Sequence, residues 1–184
     1  MKIVGIGLNK TGTKSLRYCM QHWRFSHISC SEEAFKLWRN GEFEKLLTWV
    51  ELFESFEDWP WPLFYPLIDK RFPNSKFILT KRKDPETWFE SLCAHADRTG
   101  PTIYRKYIYG HEMPQGHKEH HIKIYLNHLS SCSEYFKNRS GDYLEVCWED
   151  GDGWEELSRF LNLPSPMTPF PHENKKFIST KTVR

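Results

Sequence analysis

The chain has 184 residues, of which 39% are apolar and 27% charged, an amount of apolar material that suits one domain over residues 1–184. Its formal net charge of +2 is too small to indicate a nucleic-acid partner, so any bound anion must be held by local basic groups. Because Met1-Lys2 leads directly into a predicted strand and no run of roughly 18 apolar residues occurs, we expect a cytoplasmic protein without a leader peptide or a membrane span.

The amino-terminal segment joins a short apolar run to a glycine-containing turn. Residues 2–8 are apolar and partly β-branched, which predicts a buried strand. Helical spacing of apolar side chains then runs from Leu16 to Trp23. A strand, a turn and a helix in this order place backbone N–H groups and a helix N-terminus together. The segment between residues 9 and 15 is therefore predicted to bind an anion, best a phosphate.

This loop comes close to the Walker pattern G-x-x-x-x-G-K-[ST] but departs from it by one residue. Gly7 and Gly12 have the required spacing, yet Thr13 stands between Gly12 and Lys14. The difference matters because the Walker lysine must leave the first turn of the helix at one fixed point. A second lysine, Lys10, lies inside the loop.

Strands and helices alternate along the rest of the chain. This order predicts an α/β, three-layer, P-loop-like fold, in which helices flank a central parallel sheet and the loops after the strands meet at one crevice. Two prolines predict a rigid surface loop at 57–62, and an extended proline-rich tail is predicted at 164–184. The further predicted strands are 25–29, 51–56, 76–80 and 142–148, and the predicted helices are 31–40, 42–50, 63–72, 85–99, 116–138 and 154–161.

The loop sequence Lys-Thr-Gly-Thr-Lys-Ser at residues 10–15 resembles the 5′-phosphosulfate loop of sulfotransferases that use 3′-phosphoadenosine 5′-phosphosulfate. The resemblance implies that Lys10 reaches the bridging oxygen of the phosphosulfate and that no metal is needed. It also implies that Gly12, Thr13, Lys14 and Ser15 donate hydrogen bonds to the 5′-phosphate, and that Lys10 and Thr11 belong to the same cofactor-binding loop.

A second basic turn follows the strand predicted at 76–80. The same family has an Arg-Asp-Pro-like turn here and a serine on the next helix, which together grip the 3′-phosphate of the cofactor. Ser91 matches the serine. Arg82 has the right chemistry, because a guanidinium binds phosphate with two nitrogens, whereas Lys83 has the usual spacing to Asp84. We favour Arg82, with Lys83 assisting.

The carboxyl-terminal part carries a third resemblance. Residues 148–175 are similar to the pattern "DGW…L..FL…P…PFP..N" that follows the last strand of small single-domain sulfotransferases. This resemblance adds Lys175 to the implied cofactor-binding residues. Together the three motifs imply a sulfotransferase that moves a sulfuryl group to a hydroxyl or amine of a small molecule or saccharide.

An acceptor hydroxyl also needs a base to receive its proton. Asp58 lies among aromatic residues that could desolvate it and raise its pKa, and His95 follows Ser91 on the predicted helix. Both are catalytic candidates. His117 and His121 lie one helical turn apart, but no partner carboxylate motif accompanies them, and no metal site is predicted.

Two alternatives remain open from the sequence. The first is a kinase that uses ATP and Mg²⁺, with Lys14 and Ser15 ending the Walker loop and Glu149 or Asp150 holding the metal. Thr13 and the basic Arg82 turn argue against it. The second is a catalytically silent nucleotide-binding or interaction module with the same fold.

Overall fold

A computed structural model describes residues 1–171. In it five parallel strands form one sheet in the order β2-β3-β1-β4-β5. The strands are β1 (Ile3–Gly5), β2 (His27–Ile28), β3 (Ser55–Phe56), β4 (Lys76–Thr80) and β5 (Tyr143–Val146). The helices are α1 (Thr13–His22), α2 (Glu32–Arg39), α3 (Phe43–Leu52), α4 (Trp61–Arg71), α5 (Pro85–Thr99), α6 (Ile103–Tyr109), α7 (Lys118–Phe136) and α8 (Trp154–Leu161).

Helices cover both faces of this sheet, so the predicted three-layer, P-loop-like fold is confirmed. Side chains alternate between the faces along each strand. Ile3 and Ile78 pack with α1 and α8 on one face. Val4 and Phe77 pack with α2, α3, α4 and α7 on the other. In residues 1–171 no helix has the length and apolar character that crossing a membrane requires.

The chain reverses its direction of travel across the sheet at β1. From β1 it moves to the β2 edge, and from β3 it crosses to β4 on the opposite side. Ligands of such sheets bind outside the carboxyl ends of the strands where this reversal occurs. Gly5 lies beside Ile78 in the parallel register, so the loops that follow β1 and β4 start next to each other.

The prediction of a surface loop at 57–62 is wrong. Trp59 and Trp61 are 4% and 0% exposed, and α4 begins at Trp61, two residues earlier than predicted. Pro62 lies in the first turn of α4, where its missing N–H would have no intrahelical partner. The aromatic rings are buried in the core, and the Trp59–Pro60 peptide is cis.

Other element boundaries moved by a few residues. The strand predicted at 2–8 is shorter in the structure, where β1 covers Ile3–Gly5, and α1 starts inside the loop at Thr13 rather than at Leu16. Asp84 caps α5 by accepting a hydrogen bond from the N–H of Thr87 at 2.6 Å. Lys175 lies outside the described residues.

Candidate active site

A cleft of about 1300 Å³ opens at the carboxyl ends of β1 and β4. Its wall is formed by the loop after β1, the turn after β4, one face of α5 and the segment after β5. The predicted site residues that line it are Lys10, Gly12, Thr13, Lys14, Ser15, Asp58, Arg82, Lys83, Ser91 and His95. The fold therefore brings residues from widely separated parts of the chain to one place.

The phosphate-loop candidate turns into α1 through two residues with left-handed backbone conformation. Lys10 has φ 72°, and Gly12, with φ 92°, is the N-cap residue of α1. The first helical hydrogen bonds are donated by the N–H groups of Ser15 and Leu16 to the Gly12 carbonyl. The N–H groups at the start of α1 thus lie at the cleft, where the positive end of a helix favours an anion.

Thr11 supports the loop from beneath. Its side chain is buried, and its hydroxyl donates to the Leu8 carbonyl at 2.6 Å and lies 2.6 Å from the Thr80 hydroxyl at the end of β4. Thr11 does not line the cleft, and its hydroxyl is already engaged by the Leu8 carbonyl and the Thr80 hydroxyl. Gly7 allows this close approach, because a Cβ there would lie 2.1 Å from the Thr80 hydroxyl oxygen and 2.3 Å from its carbonyl oxygen.

The Gly7→Ala substitution is expected to destabilise the protein. The added methyl group would overlap backbone that cannot move without separating β1 from β4, and overpacking of this kind costs about 1–3 kcal/mol or more. Urea unfolding measures the change. Gly141→Ala is the matched control, since a Cβ at Gly141 meets nothing within 4 Å. Equal stabilities of the two variants would contradict this account of the loop.

Trp148 ties the segment after β5 to the loop, a contact that the sequence analysis missed. It lies in a short 3-10 turn, Trp148–Asp150, and its indole N–H donates to the Gly12 carbonyl at 3.1 Å. A Cβ at Gly12 would lie 2.3 Å from the indole ring, so glycine is required there for space as well as for its φ angle. The ring of Phe170 packs on Trp148 with centroids 4.7 Å apart.

Arg82 is held at the centre of the cleft by three kinds of contact. Its Nε donates to the Lys10 carbonyl at 2.8 Å, and one terminal nitrogen lies 3.3 Å from the Ser91 hydroxyl. The other donates to Glu149 at 2.7 Å. The two residues expected to share a phosphate are therefore adjacent, and the guanidinium also reaches the phosphate-loop candidate.

Glu149 occupies a different role from the one considered in the kinase interpretation. Its carboxylate accepts from Arg82 and, with its second oxygen, from the N–H of Lys83 at 3.1 Å. It is thus the counter-ion of the Arg82 turn. The parallel pairing of β4 and β5 causes this contact, because it brings the ends of both strands together.

Asp58 lines the cleft and has φ 62°. Its Oδ1 accepts from the N–H of Trp59 at 2.9 Å. Burial, with the negative charge of Glu57 as a second cause, raises the pKa of Asp58 to about 7. A carboxyl group with such a pKa can accept a proton near neutral pH.

His95 faces the same cleft from α5. Its Nδ1 is buried and has no hydrogen-bond partner among the described residues. Burial lowers the pKa of His95 to about 4, and the positive charge of Lys10 adds to the effect. The imidazole is therefore neutral at physiological pH and can also accept a proton.

Lys10 and Arg98 add positive charge to the cleft near His95. Burial lowers the pKa of Lys10, and Arg98 is the next cause in size. Arg98 was missed in the sequence, although it lies three residues after His95 and seven after Ser91, spacings that belong to one helix face.

Several histidines cluster between α6 and α7, away from the cleft lining. The rings of His111 and His117 stack with centroids 3.6 Å apart, and His120 and His121 lie beside them. Within residues 1–171 no group of three or more histidine, cysteine or acidic side chains is arranged to hold a metal ion.

Comparison with known proteins identifies the family to which the chain belongs. Ava biosynthesis cluster protein M from Aspergillus versicolor is 23% identical over 216 residues, which cover 94% of this chain and 80% of that protein. The model of the sulfotransferase domain family matches residues 2–109 and 98–177, and so includes the loop after β1, the turn after β4 and the segment after β5. The chain therefore belongs to the sulfotransferase domain family, and its function is that of a sulfotransferase-type transferase.

Proposed function

We propose that this protein transfers a sulfuryl group from 3′-phosphoadenosine 5′-phosphosulfate to a hydroxyl or amine of a small-molecule or saccharide acceptor. One observation carries the proposal. The loop of Lys10, the adjacent Arg82 and Ser91, and the proton acceptors Asp58 and His95 all line one cleft. Such a cleft has places for two phosphate groups and for an acceptor.

The residues present fit the proposed cofactor. The start of α1 offers backbone N–H groups to one anion. Arg82 and the N–H of Lys83 offer a second set of donors, and their contacts with the Glu149 carboxylate support the binding of an anion there. Two separate anion sites at the ends of neighbouring strands match a nucleotide that is phosphorylated at both the 3′ and 5′ positions.

The chemistry asks the protein to position groups and neutralise charge. The cofactor supplies the sulfuryl group, and adenosine 3′,5′-bisphosphate is what remains of it. Lys10 is assigned to stabilise the negative charge that grows on the leaving group, because Lys10 lines the cleft together with the loop residues and with Asp58 and His95. Asp58 is assigned to take the proton of the acceptor hydroxyl, with His95 as the alternative base.

Arg82→Ala is expected to weaken the binding of adenosine 3′,5′-bisphosphate by at least thirtyfold, which corresponds to about 2 kcal/mol. The reason is that truncating one partner of a hydrogen-bonded charge pair costs on the order of 2–5 kcal/mol. The dissociation constant of adenosine 5′-phosphate, which lacks the 3′-phosphate, should change by less than about threefold. Calorimetric titration of both nucleotides measures the difference.

Lys83→Ala is the control for this assignment, because Lys83 lies in the same turn and its backbone N–H is kept. Because Lys83 is only assigned an assisting role, we expect Lys83→Ala to weaken the binding of the bisphosphate much less than Arg82→Ala does, and to leave the binding of adenosine 5′-phosphate nearly unchanged. If Arg82→Ala weakened the binding of both nucleotides equally, the assignment of Arg82 to the 3′-phosphate would be contradicted. A selective loss in Lys83→Ala alone would transfer the role to Lys83.

A further inference from the structure

The Arg82–Glu149 ion pair lies where the proposed function requires a phosphate. Glu149 Oε1 lies 2.7 Å from a terminal nitrogen of Arg82, and Oε2 lies 3.1 Å from the backbone nitrogen of Lys83. Both side chains are partly buried, with 25% and 29% exposed. A phosphate monoester would use these same kinds of donor, because guanidinium and backbone N–H groups bind both carboxylates and phosphates.

We infer that the Glu149 carboxylate competes with the 3′-phosphate of the nucleotide for Arg82 and the Lys83 N–H, and so sets the affinity of the cleft for 3′-phosphorylated nucleotides. The inference rests on the proposed function and deepens it. When the phosphate binds, the carboxylate moves away, and when the nucleotide leaves, the carboxylate returns. The guanidinium of Arg82 is then paired in both situations.

The turn that carries Glu149 does not depend on its carboxylate. Trp148 anchors the turn to the Gly12 carbonyl at 3.1 Å, and Asp152 accepts from the Cys147 N–H at 2.7 Å. These contacts hold the backbone on both sides of Glu149. The Glu149 side chain can therefore leave Arg82 by rotation about its own bonds while the turn keeps its shape.

Arg82 keeps its position when the carboxylate leaves. Its Nε still donates to the Lys10 carbonyl, and its second terminal nitrogen still lies near the Ser91 hydroxyl. The N–H of Arg82 donates to the Tyr125 hydroxyl at 3.0 Å, which fixes the backbone of the turn. Glu149 is thus not needed to orient the guanidinium, and its removal frees donors that remain in place.

Removing the charge of Glu149 should tighten the binding of adenosine 3′,5′-bisphosphate. We expect Glu149→Gln to lower its dissociation constant by roughly tenfold, which corresponds to about 1.4 kcal/mol. Binding of adenosine 5′-phosphate, which does not reach Arg82 with a phosphate in this arrangement, should change by less than about twofold. Calorimetric titration of the full chain with both nucleotides measures the two constants.

Glu90→Gln is the matched control. Glu90 also lines the cleft and carries the same charge, but it makes no hydrogen bond or ion pair with Arg82 in the described part of the chain. If Glu149 acted only through the long-range repulsion between its negative charge and the nucleotide, both variants would tighten the binding of both nucleotides by similar factors. A double variant, Arg82→Ala with Glu149→Gln, completes the cycle, because the gain should shrink when Arg82 is absent.

The outcomes separate the inference from the proposed function. A selective gain for the bisphosphate in Glu149→Gln that depends on Arg82 supports the inference. Weaker bisphosphate binding, or equal changes for both nucleotides, would overturn it and identify Glu149 as a positioning or general-field residue, while the proposed function stands. If neither the native protein nor any variant prefers the bisphosphate over adenosine 5′-phosphate, the proposed function fails, and the inference fails with it.

Discussion

Lys10→Met is expected to lower turnover by about 10²–10³, the loss that follows removal of one donor to a developing negative charge. Lys10 lies in the loop after β1 and faces the cleft together with Asp58 and His95. Methionine keeps most of the side-chain volume and removes the charge. Binding of adenosine 3′,5′-bisphosphate should weaken much less than turnover, because the charge is needed most in the transition state. Steady-state kinetics and calorimetry together measure the two effects.

Lys14→Met is the control for the loop, because Lys14 is the lysine that a Walker enzyme would use. We expect a much smaller loss of turnover in this variant, and no effect of EDTA on the native protein. A kinase would show the opposite pattern, since its activity would need Mg²⁺ to bridge phosphates. The sulfotransferase reading of the loop would be defeated by an EDTA-sensitive activity that survives Lys10→Met and is lost in Lys14→Met.

Asp58→Asn is expected to lower turnover by about 10²–10⁴ and to leave cofactor affinity nearly unchanged, as for a lost general base. Burial and Glu57 raise the pKa of Asp58 to about 7, and only the ionised carboxylate can accept a proton. In the native protein kcat/KM should therefore rise with pH through about pH 7 and level off above it. The residual activity of Asp58→Asn should lack this rise.

His95→Ala provides the comparison. With a pKa of about 4, His95 is deprotonated above about pH 5 and able to accept a proton. Activity that depended on His95 as the base would therefore be constant between about pH 6 and pH 9. A flat profile with a large loss in His95→Ala would assign the proton to His95. Unchanged turnover in both variants would remove both residues from the mechanism.

Local sequence patterns predicted the parts of the site that lie on single elements. Apolar runs predicted the strands around Ile3 and Ile78, because a strand buried on both faces needs apolar side chains at every position. The loop with Lys10 and Gly12 was recognised from its spacing. Arg82 and Ser91 were paired from the family resemblance, and their side chains do meet, with 3.3 Å between hydroxyl and guanidinium.

Prediction from the sequence failed at residues 57–62, where burial of aromatic side chains outweighed the usual preference of proline for surface loops. The prolines at 60 and 62 predicted a surface loop, but the tryptophans beside them are buried. Proline in the first turn of a helix costs little, whereas burying a large aromatic side chain is favourable, so tertiary packing decided the structure there. Asp58, which belongs to this segment, has a raised pKa mainly because it is buried.

By itself the sequence determined the alternation of strands and helices, the family and the chemical types in the loops, because these depend on spacing and residue identity. Only the tertiary structure decided which charges face one another. The pairing of β4 with β5 puts Glu149 on Arg82, and the anchoring of Trp148 puts the segment after β5 against Gly12. Glu149 is 67 residues from Arg82, and no local pattern encodes a contact between residues so far apart. Parallel pairing of strands creates it.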